Sequence, residues 1–214
     1  MAGTDAFKLA LHQNKQWAHA TATHSPDLFP RLASGQSPQI LWIGCSDSRI
    51  PETTVLGLQP GDVFVHRNIA NALPATDLNS QSVIAYAVAH LKVKHIVVCG
   101  HTSCGGVNAA LANDRLGLID AWLMPLRRLR AELVGGWERE GLSAGERAVR
   151  LVEANVREGV RGLRENAEVI DGVRERGVQV HGLVYDVGSG LLRELEIEEG
   201  KGEEEKREEA FGTK

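Results

Sequence analysis

Two short apolar runs that each stop at a sulfur-bearing turn constrain the fold of this 214-residue chain more than any other feature. The first is ILWIGCSDSR at residues 40–49, and the second is HIVVCGHTSCGG at residues 95–106. An uninterrupted apolar run is typical of a parallel strand that is covered on both faces. Because ligands bind at the carboxyl ends of such strands, we expect the two turns to lie at the same edge of one sheet.

The two turns contain two thiols and one imidazole. Cys45 follows the first strand, and His101 and Cys104 follow the second. Two sulfurs and one ring nitrogen form a ligand set for a soft metal, with zinc as the leading candidate. A structural zinc site normally has four protein ligands, whereas three ligands leave one position for water, as in catalytic zinc. These residues therefore predict a hydrolytic or hydrating zinc enzyme.

Asp47 and Arg49 lie just beyond Cys45. A zinc ion with two thiolates and a neutral imidazole is formally uncharged, so its water needs an oriented hydrogen-bond acceptor. Asp47 can supply that acceptor, and Arg49 can hold Asp47 by a bidentate fork that keeps the carboxylate ionised. A carboxylate that swung free of Arg49 could instead bind zinc and close the open position.

Strands alternate with helices, which predicts an α/β fold with a central, mostly parallel sheet flanked by helices. An N-terminal helical arm precedes the sheet, and Gly188-Ser189-Gly190 predicts a C-terminal antiparallel hairpin. Ser25 and Pro26 are expected to begin a short helix, and Ser143 and Glu146 have capping-box spacing. The predicted strands are 40–43, 62–67, 95–99, 178–187 and 191–197, and the main predicted helices are 4–20, 79–91, 118–134, 143–165 and 167–176.

The chain is expected to have three parts. Residues 1–35 are the helical arm, residues 36–197 are the zinc-binding α/β domain, and residues 198–214 are an acidic tail. From Glu194 to Lys214 nine acidic and four basic residues give −5, so the rest of the chain, whose total is −4, carries +1. The low-complexity tail is predicted to be disordered.

The cysteine count and the charge pattern exclude several classes of protein. Three cysteines argue against a disulfide framework and favour a reducing compartment. No apolar run approaches the roughly 20 residues that span a bilayer, and basic residues are not clustered with aromatic ones. We expect no membrane or nucleic-acid partner. The cytoplasm is the default location, with mitochondria left open in case a transit segment was trimmed.

The remaining cysteine and several histidines are interpreted as structural or exposed. Cys99 lies inside an apolar strand and is expected in the core. Histidines in strand or helix contexts without ligand spacing include His66, His90, His95 and His181.

The motifs CSDSR and GHTSCGG, with HRNIAN between them, resemble those of the β-class carbonic anhydrases. The resemblance is close over residues 36–107 and looser elsewhere. It implies reversible hydration of carbon dioxide to bicarbonate and a proton by zinc-bound hydroxide. It also implies one zinc ion per subunit, bound by Cys45, His101 and Cys104, and a catalytic dyad of Asp47 and Arg49.

The resemblance further implies a substrate pocket and an assembly. The family's active sites lie at a dimer interface, and N-terminal helices embrace the partner. A homodimer or a dimer-of-dimers tetramer is therefore expected, with Tyr86 contributed from the neighbouring subunit. Two of the positions that match this pocket, Gly105 and Gly106, can also be explained more simply by tight packing of a strand against a helix. The positions that match the pocket are Gln36, Phe64, Ile69, Tyr86, Gly105 and Gly106.

A narrower similarity concerns regulation. Trp42, Arg67 and Tyr185 resemble the triad that binds bicarbonate at a non-catalytic site in one subclass of the family. In that subclass the aspartate of the dyad can ligate zinc in an inactive state favoured at low pH. We therefore hypothesise that bicarbonate or low pH inhibits the enzyme through closure of Asp47 onto zinc.

Two other functions stay open at this stage. A hydrolase for CS₂ or COS would keep the zinc and the fold but change the electrophile. A non-catalytic bicarbonate sensor or structural zinc protein would require Asp47 to remain permanently on the metal. The presence of Gln36, Asp47, Arg49 and Tyr86 speaks against this last function.

Overall fold

The computed structural model describes residues 5–198 and 202–212. The chain forms two compact units, with the division between Gln36 and Ser37. The arm predicted for residues 1–35 thus ends one residue before this division. Within the described residues, no helix is both long and apolar enough to cross a membrane.

The first unit holds two helices, α1 (Ala6–His24) and α2 (Leu28–Ala33). Helix α2 begins later than the sequence predicts. The N–H of Leu28 donates to the carbonyl of Ser25 at 3.1 Å, so the two residues between them form a turn rather than the first helical turn. The prediction that Ser25 and Pro26 begin this helix was therefore wrong.

The second unit is built on five strands, β1 (Ile40–Cys45), β2 (Val63–Asn68), β3 (His95–His101), β4 (Gln179–Asp186) and β5 (Leu191–Glu194). They form one sheet in the order β2-β1-β3-β4-β5. The first four strands are parallel, and β5 is antiparallel to β4. The predicted fold class is confirmed. Strand β4 is both the first strand of the predicted hairpin and a parallel neighbour of β3.

Helices of different lengths connect the strands. The predicted capping box at Ser143 and Glu146 is confirmed, and Gly177 ends the following helix with a φ of 67°. The helix predicted over 79–91 continues beyond its α-helical part as a π-helical turn, Tyr86–His90. The helices are α3 (Glu52–Leu56), α4 (Leu78–Ala85), α5 (Gly105–Leu111), α6 (Leu118–Trp122), α7 (Met124–Arg139), α8 (Ala144–Arg164) and α9 (Ala167–Arg176).

Helix α8 packs directly on the centre of the sheet. Its buried stripe includes Val152, Val156 and Val160, none of which is more than 3% exposed. A Cβ atom on Gly100 of β3 would lie 2.8 Å from the side chains of both Val152 and Val156. The glycine therefore lets the helix approach the strand that carries His101.

The acidic tail differs from the sequence prediction. Residues Glu203–Phe211 form a helix, α10, where the sequence predicted disorder. Glu, Lys, Arg and Ala are good helix formers, and nearly all of this segment consists of them. Composition alone therefore gave the wrong answer for this part of the tail.

Replacement of Gly100 by alanine should destabilise the protein. The added methyl group overlaps two β-branched side chains of α8, and overpacking of this kind costs about 1–3 kcal/mol of unfolding free energy. Chemical denaturation measures the change. Gly162→Ala is the matched control, because no atom of the described residues lies within 4 Å of its added Cβ and alanine favours a helix over glycine by about 0.5–1 kcal/mol. Equal stabilities of the two variants would contradict the packing described here.

Candidate metal centre

Neighbouring parallel strands bring the three predicted ligands together. Cys45 is the last residue of β1, His101 is the last residue of β3, and Cys104 immediately precedes α5. All three side chains are buried, and their sulfur and nitrogen atoms lie within 4.8 Å of one another. The arrangement is the three-ligand cluster that the spacing of the motifs predicts.

The ring of His101 is oriented for metal binding. Its Nδ1 atom lies 2.9 Å from the carbonyl oxygen of Thr102. Because a carbonyl can only accept, Nδ1 carries the proton and Nε2 keeps its lone pair. Nε2 is buried and has no hydrogen-bond partner in the part of the chain that the structure describes. A divalent metal between this nitrogen and the two sulfurs would satisfy it, so the residues fit zinc.

Thr102 fixes the carbonyl that holds His101. Its N–H donates to the carbonyl of Tyr185 at 3.0 Å, and its hydroxyl donates to Asp186 Oδ1 at 2.9 Å. The same hydroxyl accepts from the N–H of Val187 at 3.0 Å. Sequence reasoning missed Thr102 and Asp186, although a hydroxyl residue directly after a ligand is a signal that could have marked the first of them.

The two thiols share a hydrogen bond. The sulfurs of Cys45 and Cys104 are 4.0 Å apart. Donation from Cys104 lowers the pKa of the Cys45 thiol, and backbone N–H groups of Asp47 and Ala70 act in the same direction. The same contact raises the pKa of Cys104. These contacts favour the thiolate form of Cys45, which is the form that binds zinc.

Asp47 and Arg49 form the predicted bidentate pair. Arg49 Nε donates to Asp47 Oδ1 at 2.9 Å, and Arg49 Nη2 donates to Oδ2 at 2.7 Å. Nη2 also donates to the carbonyl of Ser103 at 3.1 Å. The guanidinium holds the pKa of Asp47 well below its usual range. The carboxylate is therefore ionised, and its Oδ2 lies 3.9 Å from Nε2 of His101.

Comparison with known proteins places this geometry in a family. A family model described as carbonic anhydrase matches residues 40–192. A carbonic anhydrase of Emericella nidulans is 49% identical over 189 residues, covering 86% of this chain and 81% of that protein. The crystal structure of the β-carbonic anhydrase CafA of Aspergillus fumigatus is 54% identical with a TM-score of 0.95, covering 98% of this chain and 100% of that one. The chain belongs to the β-class carbonic anhydrases.

This carbonic anhydrase catalyses the reversible hydration of carbon dioxide to bicarbonate and a proton, with Zn²⁺ as its cofactor. A further similar structure comes from the tetrameric β-carbonic anhydrases of Sordaria macrospora. It is 50% identical with a TM-score of 0.87, covering 90% of this chain and 98% of that one. Similarity to a tetramer supports self-association of this chain.

The predicted pocket residues of the carbonic anhydrase occupy four places. Ile69 faces Gly106, because a Cβ on that glycine would lie 3.1 Å from Ile69 Cγ2. Phe64 and Tyr86 have ring centroids 5.8 Å apart, and Tyr86 is 47% exposed. Gly105 is the first residue of α5 and has open space where a Cβ would be. Gln36 ends the first unit of the chain.

The three residues of the predicted regulatory site lie on three strands. Trp42 and Tyr185 are buried in one apolar cluster on the sheet. Arg67 donates from Nε to the carbonyl of Cys45 at 2.8 Å and from Nη2 to the carbonyl of Asp47 at 2.5 Å. Arg67 thus holds the backbone of the loop that carries both Cys45 and Asp47.

A strained turn donates a hydrogen bond to Cys45 in the metal centre. Ala70 and Asn71 have φ values of 60° and 45°, and non-glycine residues in this region carry about 1–3 kcal/mol of strain. Buried Asn155 of α8 donates from Nδ2 to the carbonyl of Ala70 at 2.8 Å. Because the N–H of Ala70 stabilises the Cys45 thiolate, Asn155 holds a donor in place. Sequence reasoning missed Asn155, whose signal is a polar residue inside an apolar helical stripe.

Substitution of the cluster should remove zinc, whereas substitution of the third cysteine should not. His101→Ala and Cys104→Ser each delete a ligand. Removal of a group that only hydrogen-bonds to a ligand lowers metal affinity roughly 10- to 100-fold, so removal of the ligand itself should lower zinc affinity by more than this. Elemental analysis of dialysed protein measures the zinc content. Cys99→Ser is the control, because Cys99 donates to the carbonyl of Gly100 and burial raises the pKa of its thiol to about 12. Full zinc content in His101→Ala would contradict the proposed ligand set.

Proposed function

We propose that Cys45, His101 and Cys104 hold the catalytic zinc and that Asp47 and Arg49 orient the nucleophile. The observation that carries the proposal is the buried Nε2 of His101, which has no hydrogen-bond partner among the described residues and lies 3.9 Å from the carboxylate of Asp47. When bound there, zinc acidifies a water molecule and so supplies a nucleophile for carbon dioxide near neutral pH.

The dyad acts through a hydrogen bond of fixed direction. An ionised carboxylate can only accept, so Asp47 takes the O–H of the nucleophile and leaves a lone pair free to face the substrate. Arg49 contributes by holding the carboxylate at its two oxygens and by keeping it charged. Arg49 itself is anchored to the carbonyl of Ser103, which lies between two of the proposed ligands in the chain.

We assign the binding of carbon dioxide to the pocket positions Phe64, Ile69, Tyr86, Gly105 and Gly106. Carbon dioxide is small and has no net dipole, so apolar walls and a close backbone suit it. The missing side chain of Gly106 supports this assignment, because it lets the turn that carries Ile69 approach the start of α5. Tyr86 is exposed on this chain, which suits a contribution to the site of a second subunit.

The two rival functions have less support. A permanently closed zinc protein needs Asp47 on the metal, whereas here both of its oxygens accept hydrogen bonds from Arg49. A hydrolase for CS₂ or COS gains no support from relatives that carry the name carbonic anhydrase.

We further propose that bicarbonate inhibits the enzyme at Trp42, Arg67 and Tyr185. Arg67 is the link, because its guanidinium binds the carbonyls of Cys45 and Asp47. An anion that drew Arg67 away would release this loop and let Asp47 leave Arg49 for the zinc.

Self-association is proposed to be a homodimer or a dimer of dimers in which residues 1–35 embrace a second copy. Helix α1 supports this, because none of its residues is buried and Phe7, Leu11 and Trp17 are about half exposed or more. Light scattering of the full chain measures the state, and a monomer would count against the proposal. A cytoplasmic location, with mitochondria as the alternative, is proposed because the cysteines are free and two of them must stay reduced to bind zinc.

Asp47→Asn should lower kcat/KM by about 100-fold or more while zinc stays bound, because the amide cannot act as a charged acceptor. Stopped-flow hydration of carbon dioxide measures the rate, and elemental analysis confirms the metal. Asp171→Asn is the matched control, since Asp171 also pairs with an arginine, Arg174, but on the exposed surface of α9. Wild-type rates in zinc-loaded Asp47→Asn would refute the assigned role.

Tyr185→Phe should weaken inhibition by bicarbonate about tenfold, because it removes one hydrogen bond to a charged ligand and keeps the buried ring. Inhibition of the wild type by bicarbonate should become stronger as the pH falls, since low pH favours the closed state in which Asp47 binds zinc. Initial rates at several bicarbonate concentrations between about pH 7 and 9 measure both effects. A flat wild-type response over this range would exclude the regulatory proposal and leave the catalytic one untouched.

A further inference from the structure

Two histidines and a glutamate form a chain of hydrogen bonds on three neighbouring strands. His95 lies on β3, His181 on β4 and Glu194 on β5. Nδ1 of His95 is 3.1 Å from Nε2 of His181, and Nδ1 of His181 is 2.7 Å from Oε1 of Glu194. None of these groups belongs to the proposed catalytic site.

The separation of the two ring nitrogens matches that of two ligands on one metal ion. Nitrogens about 2.0–2.1 Å from a shared ion are roughly 2.9–3.4 Å apart at the angles of octahedral and tetrahedral sites. The observed 3.1 Å lies inside this range. The two rings stand on adjacent, hydrogen-bonded strands in which Val97 is paired with His181, so the backbone holds the spacing.

Glu194 sets the tautomer that a metal requires. A carboxylate accepts, so Nδ1 of His181 carries the proton and Nε2 presents its lone pair toward His95. This is the carboxylate–histidine–metal arrangement in which an outer carboxylate orients the ligand. The ring of His95 becomes the second ligand when its single proton moves from Nδ1 to Nε2, with no change in charge.

The pair is reachable from water and separate from the catalytic centre. The side chain of His181 is 27% exposed and that of Glu194 is 61% exposed. His95 precedes His101 by six residues on the same strand, which places it about 20 Å away at roughly 3.3 Å per residue. An ion at this pair therefore cannot share a ligand with the zinc site.

We propose that His95 and His181 form a second site for a divalent transition metal, with Glu194 as the positioning residue and water in the remaining coordination positions. Imidazole ligands suit zinc, nickel and copper, and two protein ligands make the site weaker than the buried three-ligand centre. This inference stands independently of the proposed catalytic roles.

Nickel is the probe, because it binds imidazole and its paramagnetism broadens the proton signals of nearby rings. The full-length, zinc-loaded protein is dialysed against increasing Ni²⁺, and both metals are measured by elemental analysis. The wild type should keep its zinc and bind one further nickel per chain, with broadening of the ring signals of His95 and His181. His181→Gln and His95→Gln should each weaken nickel binding at least tenfold, and Glu194→Gln by about tenfold.

The controls separate this site from adventitious binding. His24→Gln removes a histidine of the exposed helix α1 and should bind nickel as the wild type does. Retained zinc and an unchanged circular dichroism spectrum show that each variant is folded, and the exposed position of Glu194 makes its variant the safest in this respect. Nickel that only displaces zinc, or that binds both histidine variants with wild-type affinity, would overturn the proposal.

Discussion

The parallel pairing of β1 with β3 is the constraint on which the rest of the structure depends. The two strands run side by side in register from Ile40 and His95 to Gly44 and Cys99, and a metal ligand follows on each. Since side chains alternate with a period of two, a slip of one residue would turn one ligand to the other face of the sheet. The close packing of α8 on β3, which the absence of a side chain at Gly100 permits, helps to hold this register.

Charge balance at the centre explains why Arg49 matters. Two thiolates and a neutral imidazole would cancel the charge of Zn²⁺. The carboxylate of Asp47 would therefore bind the metal as a further ligand only if no other group held it. The bidentate fork of Arg49 and its anchor on Ser103 compete for Asp47 and keep it 3.9 Å from the ring nitrogen of His101. In the proposed mechanism, the balance between Arg49 and zinc as partners of this carboxylate would decide whether the fourth coordination position is open.

Most of the site could be predicted because its residues lie in two local motifs. Cys45, Asp47 and Arg49 are within five residues, and the spacing of each motif carries its own chemistry. The supporting contacts could not be predicted in this way. Asn155 reaches Ala70 across 85 positions, and only the three-dimensional fold brings them together.

The secondary structure was harder to predict where local preferences compete. The arrangement of strands and the capping of α8 follow from periodicity and from strong end signals, and both are confirmed. The predicted start of α2 was wrong because Pro26 lies in a turn that precedes the helix, rather than in the first turn of the helix. The prediction of disorder in the tail was wrong because disordered segments and helices can share a glutamate-rich composition. Over Glu203–Phe211 nearly all of the residues are good helix formers, and the segment is helical.

The hydrogen bonds of Thr102 join the imidazole of His101 to Asp186 and Val187, which lie where β4 enters the hairpin turn. Coupling between two sites is reciprocal, so whatever zinc contributes to ordering the ring it also contributes to ordering this turn. Loss of the metal would then reduce the order of the C-terminal edge of the sheet. Faster amide exchange and easier proteolysis of the hairpin would accompany demetallation, and the hairpin would report the metal status of a centre that it does not touch.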